Sequence, residues 1–434
     1  MVPQNAMGAA VRSPSVKELS SRLNLLSGGH RLCAGCAESV VVRQVLLASP
    51  YPVVVVNATS CLEVATTIYP YTAWRVPWLH SLFENAAATV SGVEAAWRAL
   101  QRRGKLPQEK IAFIVFAGDG GTYDIGLQSL SGALERGHRF LYVCLNNEGY
   151  MNTGIQRSSA TPLGAHTTTT PAGEVIPGKL QWRKDLTGIV AAHNIPYAAQ
   201  AALTPQPLTD LTTKVRRALE AEGPAFINVY SPCNRGWRFD PADTIRISQL
   251  AVETCYWPLF EVVDGHWRLT YSPREKKPVA QWLEAQGRFR HLLKPEHRHV
   301  MEEIQARVDR EWEVLLARTG RAPSEGAEAP PQSRPVPRGH AKEEAAEGGK
   351  TEAPCSCGVT SPGVRWGCLF CGRVCCPQCA YAPEGLTVCS RCARELFGIP
   401  APPASARPSE TGVRVSGTSP PAGVIAKEAK PCKS

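Results

Sequence analysis

The 434-residue sequence contains no apolar run approaching the roughly 20 residues that span a bilayer, so no membrane helix is expected. Its N-terminal segment, MVPQNAMGAAVRSPSVKELSSRLNLL, lacks a continuous apolar stretch and a cleavage signature, which argues against export. No stripe of one charge is present either. The net charge is +10, but the basic residues are scattered, so nucleic-acid binding is not expected. The excess of Lys and Arg can instead steer anionic substrates or an acidic redox partner. No internal repeat is visible. These absences leave a cytoplasmic globular chain as the expectation, and its 43% hydrophobic content suits a real core over part of the length.

Cysteine, by contrast, is plentiful. Nine of the 16 cysteines fall between Cys355 and Cys392, and three more between Cys33 and Cys61. In a reducing compartment, clustered cysteine pairs more often ligate metals than form disulfides. The uneven distribution predicts two separate metal-binding regions.

Apolar runs read as buried strands over 51–57 (YPVVVVN), 111–117 (IAFIVFA), 140–145 (FLYVCL) and 225–230 (AFINVY). Helical patterns lie between them, over 37–48, 86–101, 126–136 and 208–221. This alternation predicts an α/β fold with a mostly parallel sheet covered by helices on both faces. Ligands of such sheets sit at the carboxyl ends of strands. Residues 1–24 read as an N-terminal extension, 25–293 as the main domain and 294–320 as a terminal helix. Residues 321–353, rich in Pro, Glu, Gly, Ala and Lys, read as a disordered linker. A Cys-rich, metal-stabilised unit is expected over 354–398 and a disordered tail over 399–434.

The strand IAFIVFA runs into Gly118-Asp119-Gly120-Gly121, and the strand FLYVCL ends at Asn146-Asn147-Glu148-Gly149. Asp119 and Asn147 are thus placed at the carboxyl ends of strands in one βαβ unit. Mg²⁺ takes oxygen ligands in near-octahedral geometry. The Asp119 carboxylate, the Asn147 side-chain carbonyl and the Gly149 backbone carbonyl would supply three, a diphosphate two and water one. Gly118 and Gly120 let the backbone approach the phosphates. The bland alternative is a pair of turns, since Gly, Asp and Asn dominate turns. The GDG…NN pattern resembles the thiamine-diphosphate motif.

Cys33 and Cys36 form a C-x2-C pair, Cys61 follows the first predicted strand, and Cys233 follows the last. Four thiolates arriving from loops are what a [4Fe–4S] cluster needs, with zinc or an unligated pair as competitors. The segments HRLCAGCAESVVVRQVL, CLEVATTIYPYTAW, FENAAATVSGVEAA, GDGGTYDIGLQSLSGALERG, LNNEGYMNTGIQRSSATPLGAHTTTTP and SPCNRGWRF bring these residues into context. Together they closely resemble β subunits of pyruvate:ferredoxin oxidoreductases. With LAVETCYWPLFEV and EKKPVAQWLEAQGRFRHL, the likeness spans residues 25–293.

That resemblance implies a [4Fe–4S] cluster on Cys33, Cys36, Cys61 and Cys233. It implies Mg²⁺ on Asp119, Asn147 and the Gly149 carbonyl. Gly120, Tyr150, Asn152 and Thr153 would line the diphosphate site, and His80 and Asn85 would approach the thiamine. Ser60 departs from the glycine often found there. The implied reaction is CoA-dependent oxidative decarboxylation of pyruvate, with electrons passed through the cluster to ferredoxin. The same scaffold could act on 2-oxoisovalerate, indolepyruvate or 2-oxoglutarate. The glutamate that activates the cofactor is expected on a partner α subunit, so no catalytic residue is assigned in this chain. Further clusters are expected on γ or δ ferredoxin-like subunits, because this chain lacks a C-x2-C-x2-C-x3-C run.

Toward the C-terminus four successive cysteine pairs occur: Cys355 with Cys357, Cys368 with Cys371, Cys376 with Cys379, and Cys389 with Cys392. Eight thiolates divide naturally into two tetrahedral zinc sites. An additional Fe–S site is the alternative. WGCLFCGRVCCPQCAYAPEGLTVCSRCARELFG resembles part of FYVE-type and related cross-brace fingers, without the basic signature for phosphoinositides. The cross-brace pattern implies that alternate pairs share a metal. A non-catalytic scaffold acting through this module is the competing functional expectation.

Overall fold

The computed structural model describes residues 11–173 and 176–321, together with four two-residue strands farther along. The chain divides into two compact units, residues 1–332 and 333–434. In the second unit, Trp366–Gly367 pairs antiparallel with Val374–Cys375, and Ala380–Tyr381 with Val388–Cys389. Of the eight candidate zinc ligands, Cys389 falls in one of these strands. The other seven, Cys355, Cys357, Cys368, Cys371, Cys376, Cys379 and Cys392, lie outside the described residues.

The first unit is built on eight strands. These are β1 (Val53–Ala58), β2 (Trp78–Ser81), β3 (Ala112–Gly118), β4 (Leu141–Asn146), β5 (Tyr197–Ala202), β6 (Ala225–Tyr230), β7 (Phe260–Val263) and β8 (His266–Leu269). They lie in the order β2-β1-β3-β4-β6-β5-β7-β8. All pairings through β5 are parallel, and only β7 and β8 join antiparallel at one edge.

Alternation along each strand assigns side chains to opposite faces. Val53, Val55, Ile114, Phe116, Leu141, Val143, Ile227 and Val229 pack on one face against the helices Ala37–Ala48 and Asp210–Glu220. Val56, Phe113, Val115, Tyr142, Cys144 and Phe226 pack on the other, against Ala86–Arg102, Leu127–Glu135 and Leu186–Ala191. Burial on both faces explains why these strands read as unbroken apolar runs; each fully buried Val, Ile or Phe contributes about 1.5–3 kcal/mol.

A third cluster lies beyond β6. Trp237, Tyr256, Trp257, Trp282 and Phe289 pack there with Val300, Ile304 and Val308 of the helix Arg298–Arg318. Tyr256 and Trp282 stack with ring centroids 4.0 Å apart. Among the described residues, no helix is long and apolar enough to cross a membrane.

Candidate cofactor and cluster site

Sheet order brings distant sequence positions together. β1, β3, β4 and β6 are consecutive neighbours and parallel, so their carboxyl ends lie along one edge. Cys61 begins the helix Cys61–Thr66 after β1, Asp119 follows β3, Asn147 follows β4, and Cys233 comes shortly after β6. The chain therefore delivers two candidate cluster thiols and two candidate Mg²⁺ ligands from four adjacent strand ends.

A narrow cleft of about 30 Å³ opens there. Cys61, Gly118, Gly120, Asn147, Gly149, Tyr150, Asn152 and Thr153 line it, with Thr59, Ser60, Phe83 and Met151. A Cβ on Gly120 would overlap the Tyr150 ring, whose hydroxyl donates to the Gly120 carbonyl at 2.9 Å. After Asp119 the backbone makes one π-helical turn, Gly120–Ile125, closed by Gly126 N donating to Gly121 O at 2.8 Å. Such turns recur at functional sites because they widen the local backbone.

Asp119 is fully buried, and among the described residues no basic side chain hydrogen-bonds it. One oxygen accepts from Asn147 N at 3.2 Å and the other from Ser158 Oγ at 2.5 Å. Burial, with the Glu148 charge adding to it, pushes its pKa up to about 8 against those hydrogen bonds. Asn147 Oδ1 is buried and has no hydrogen-bond partner among the described residues. A buried carboxylate short of positive charge beside an unpaired amide oxygen is a donor set suited to a hard divalent cation. The cleft and these oxygens therefore fit Mg²⁺ and a diphosphate.

The cysteines show the corresponding pattern. Burial first, then the Glu38 charge and the neighbouring thiols, pushes Cys36 and Cys61 far up; burial pushes Cys233 to about 11. Cys33, the exposed member, contributes to the shift of each. Among the described residues no group of three or more His, Cys, Asp or Glu is drawn into metal-binding geometry. Gly35, in the Cys33–Cys36 turn, has φ +75, and a Cβ there would strike Pro241. Gly236 N donates to Cys233 Sγ at 3.3 Å, the kind of amide contact that stabilises a thiolate. Partly buried thiols with an amide donor have the chemistry that ligands of an iron–sulfur cluster would need.

His80 and Asn85 stand outside the cleft lining. His80 Nε2 pairs with Thr59 Oγ1 at 2.8 Å, and Asn85 Oδ1 accepts from Ser81 Oγ at 2.6 Å. Ser60 accepts from Glu63 N at 3.4 Å and so caps the helix that starts at Cys61. Thr168 Oγ1 donates to Gly154 O at 2.9 Å, and Thr169 Oγ1 accepts from Arg157 N at 2.9 Å, bracing the chain that follows Thr153.

Several contacts at the site carry no sequence signal. Glu38 Oε1 accepts from Asn147 Nδ2 at 2.9 Å, and Trp237 Nε1 donates to Asn147 O at 2.8 Å. Burial raises the Glu38 pKa to about 7. Glu148, at φ +62, is fully buried and pairs with Arg288 at 2.5 Å and Tyr256 OH at 2.7 Å. The Arg288 guanidinium lies 4.0 Å over the Trp237 ring. Only three-dimensional proximity links these groups; no spacing rule could have found them.

Fold and site define an α/β protein of the thiamine-diphosphate-binding class, and the family described as "Thiamine pyrophosphate enzyme, C-terminal TPP binding domain" matches residues 58–229. The chain is 55% identical over 296 residues to pyruvate synthase subunit PorB of Thermotoga maritima, covering 67% of this chain and 91% of that one. It is 52% identical over 289 residues to PorB of Methanocaldococcus jannaschii, covering 66% and 95%. Ketoisovalerate oxidoreductase subunit VorB of Pyrococcus abyssi is 42% identical over 290 residues, covering 66% and 91%. The chain belongs to the family of the PorB subunits of pyruvate synthase.

Proposed function

We propose that this chain is the β subunit of a pyruvate:ferredoxin oxidoreductase, carrying thiamine diphosphate, Mg²⁺ and a [4Fe–4S] cluster. The observation that carries the reading is the row of adjacent strand ends bearing Cys61, Asp119, Asn147 and Cys233. The likeness to PorB chains over nearly their whole length supports it. When bound, thiamine diphosphate supplies a carbon nucleophile for the 2-oxoacid carbonyl and a sink for the electron pair left by CO2.

The chain's own residues hold and orient. Asp119, Asn147 and the Gly149 carbonyl hold the cation, and Gly118, Gly120, Tyr150, Asn152 and Thr153 receive the diphosphate. Cys33, Cys36, Cys61 and Cys233 would hold the cluster, which would supply one-electron redox chemistry. His80 and Asn85 are read as approaching the thiamine, although neither lines the cleft. The reading includes a cytoplasmic location, where the thiols stay reduced, and an α subunit with γ or δ ferredoxin-like subunits. Coenzyme A and ferredoxin complete the reaction. The C-terminal cysteines, Cys355, Cys357, Cys368, Cys371, Cys376, Cys379, Cys389 and Cys392, are read as two zinc sites that dock a partner. They are expected to add zinc rather than iron to the full-length chain on metal analysis.

The test is activity of the chain alone against the chain anaerobically copurified with its partner subunits. Pyruvate- and CoA-dependent viologen reduction is expected from the complex and not from the isolated chain. Turnover by the isolated chain would overturn the shared active site. The likeness to VorB favours 2-oxoisovalerate as the second substrate to compare. A higher kcat/KM on it than on pyruvate would reassign the substrate.

A further inference from the structure

Every polar atom of Asn147 but one has a partner. Its backbone N–H donates to Asp119 Oδ1 at 3.2 Å, and its carbonyl accepts from Trp237 Nε1 at 2.8 Å. Its side-chain Nδ2 donates to Glu38 Oε1 at 2.9 Å, leaving only Oδ1 buried and unpaired among the described residues. An amide can turn its oxygen and nitrogen end for end, and the two orientations differ little in shape. A carboxylate only accepts, so Glu38 holds the nitrogen on its own side and leaves the oxygen on the other.

Glu38 makes no other side-chain hydrogen bond among the described residues. It is 2% exposed, sits in the first turn of the helix Ala37–Ala48, and pairs with no Lys or Arg among the described residues. Its second oxygen has no partner among them either. Burying a carboxylate with one hydrogen bond is costly, and nothing in the packing of that helix requires it. The same helix begins directly after Cys36, so Glu38 spans from the cysteine turn to the cation-binding loop.

We propose that Glu38 is a positioning residue that locks the Asn147 amide with Oδ1 turned toward the Mg²⁺ of the cofactor, tying the cysteine turn to the diphosphate site. The inference rests on the cation role proposed for Asn147. Outer partners that orient metal ligands are typically worth about 10–100-fold in metal affinity.

The experiment measures Mg²⁺ and thiamine diphosphate binding to the full complex, by tryptophan fluorescence and calorimetry, with iron content as the check on the cysteine region. The wild-type complex comes first: if it does not bind Mg²⁺ and thiamine diphosphate, the functional reading fails, separately from this inference. Glu38→Ala is expected to weaken Mg²⁺ binding by about 10–100-fold with iron content retained. A reciprocal pair tests orientation and does not depend on that variant folding. N147D sets two carboxylates against each other and weakens binding; adding E38Q restores an amide-to-carboxylate hydrogen bond with the roles exchanged. Recovery of at least about tenfold in the double variant over N147D supports the lock. Independent effects of the two substitutions, or wild-type affinity in Glu38→Ala, overturn it.

Discussion

Of the fully buried carboxylates in the sheet unit, Glu261 and Asp119 have opposite surroundings. Glu261, on β7, accepts from Tyr197 OH at 2.8 Å and from Arg217 at 2.9 Å, and pairs with Arg268 as well. Burial pushes its pKa up, but the bonds from Arg268 and Tyr197 and the Arg217 charge bring it below the ordinary carboxylate range. Asp119, at the end of β3, has a hydroxyl and one amide, and its pKa rises to about 8. Complete pairing at the β7–β8 edge marks a group that holds the fold together. Incomplete pairing at the carboxyl ends of β3 and β4 marks the group that the proposed cation would take. The difference lies in what each carboxylate lacks.

The comparison can be broken from either side. The largest effect is expected from a third buried carboxylate, Glu148, which pairs with Arg288. Arg288→Met strands that charge in an apolar cluster and is expected to cost about 3–5 kcal/mol in denaturant unfolding. An unchanged unfolding midpoint would show the pair to be dispensable.

The pH dependence of the cofactor-free chain comes next. Asp119 has a folded pKa raised above its unfolded value, so its contribution to stability is present below about pH 4 and is lost as pH rises through about 8. Between pH 5 and 8, D119N should flatten the fall in stability by on the order of 2–4 kcal/mol, read from urea unfolding. An equal slope in D119N and wild type would place the titration elsewhere. Thiamine diphosphate binding should meanwhile be lost in D119N.

E261Q is expected to have the smallest effect. It leaves two arginines with a neutral partner, and since Arg268 is largely exposed the expected loss is about 2–3 kcal/mol. Thiamine diphosphate affinity should not move, because Glu261 lies on β7, away from the β1–β3–β4–β6 edge. A parallel loss of cofactor affinity would erase the distinction between the two carboxylates.

Much of this organisation was legible in the sequence because burial on both faces writes itself as apolar runs. Strands at 51–57, 111–117, 140–145 and 225–230 appear within two residues of their expected limits. β5, YAAQAA, carries no such run: its alanines leave room for helices packed close on both sides and give no strand signal. β2 and the β7–β8 hairpin are four-residue strands, too short for periodicity to speak. GDGG and NNEG stand out because glycines and short polar side chains at strand ends have few other uses. Glu38, Ser158, Trp237 and Arg288 do not, because they reach the site from remote segments and only the fold brings them there. Ser60, a departure from the expected glycine, acquires its reason only once the helix it caps is known.

The central claim is tested most directly by assaying the anaerobically copurified complex for CoA-dependent viologen reduction with pyruvate, with thiamine diphosphate and iron measured on the same sample. The account predicts both cofactors bound in stoichiometric amounts, rapid reduction with pyruvate, and loss of activity in D119N. A complex that holds neither cofactor and reduces nothing with any 2-oxoacid would contradict it.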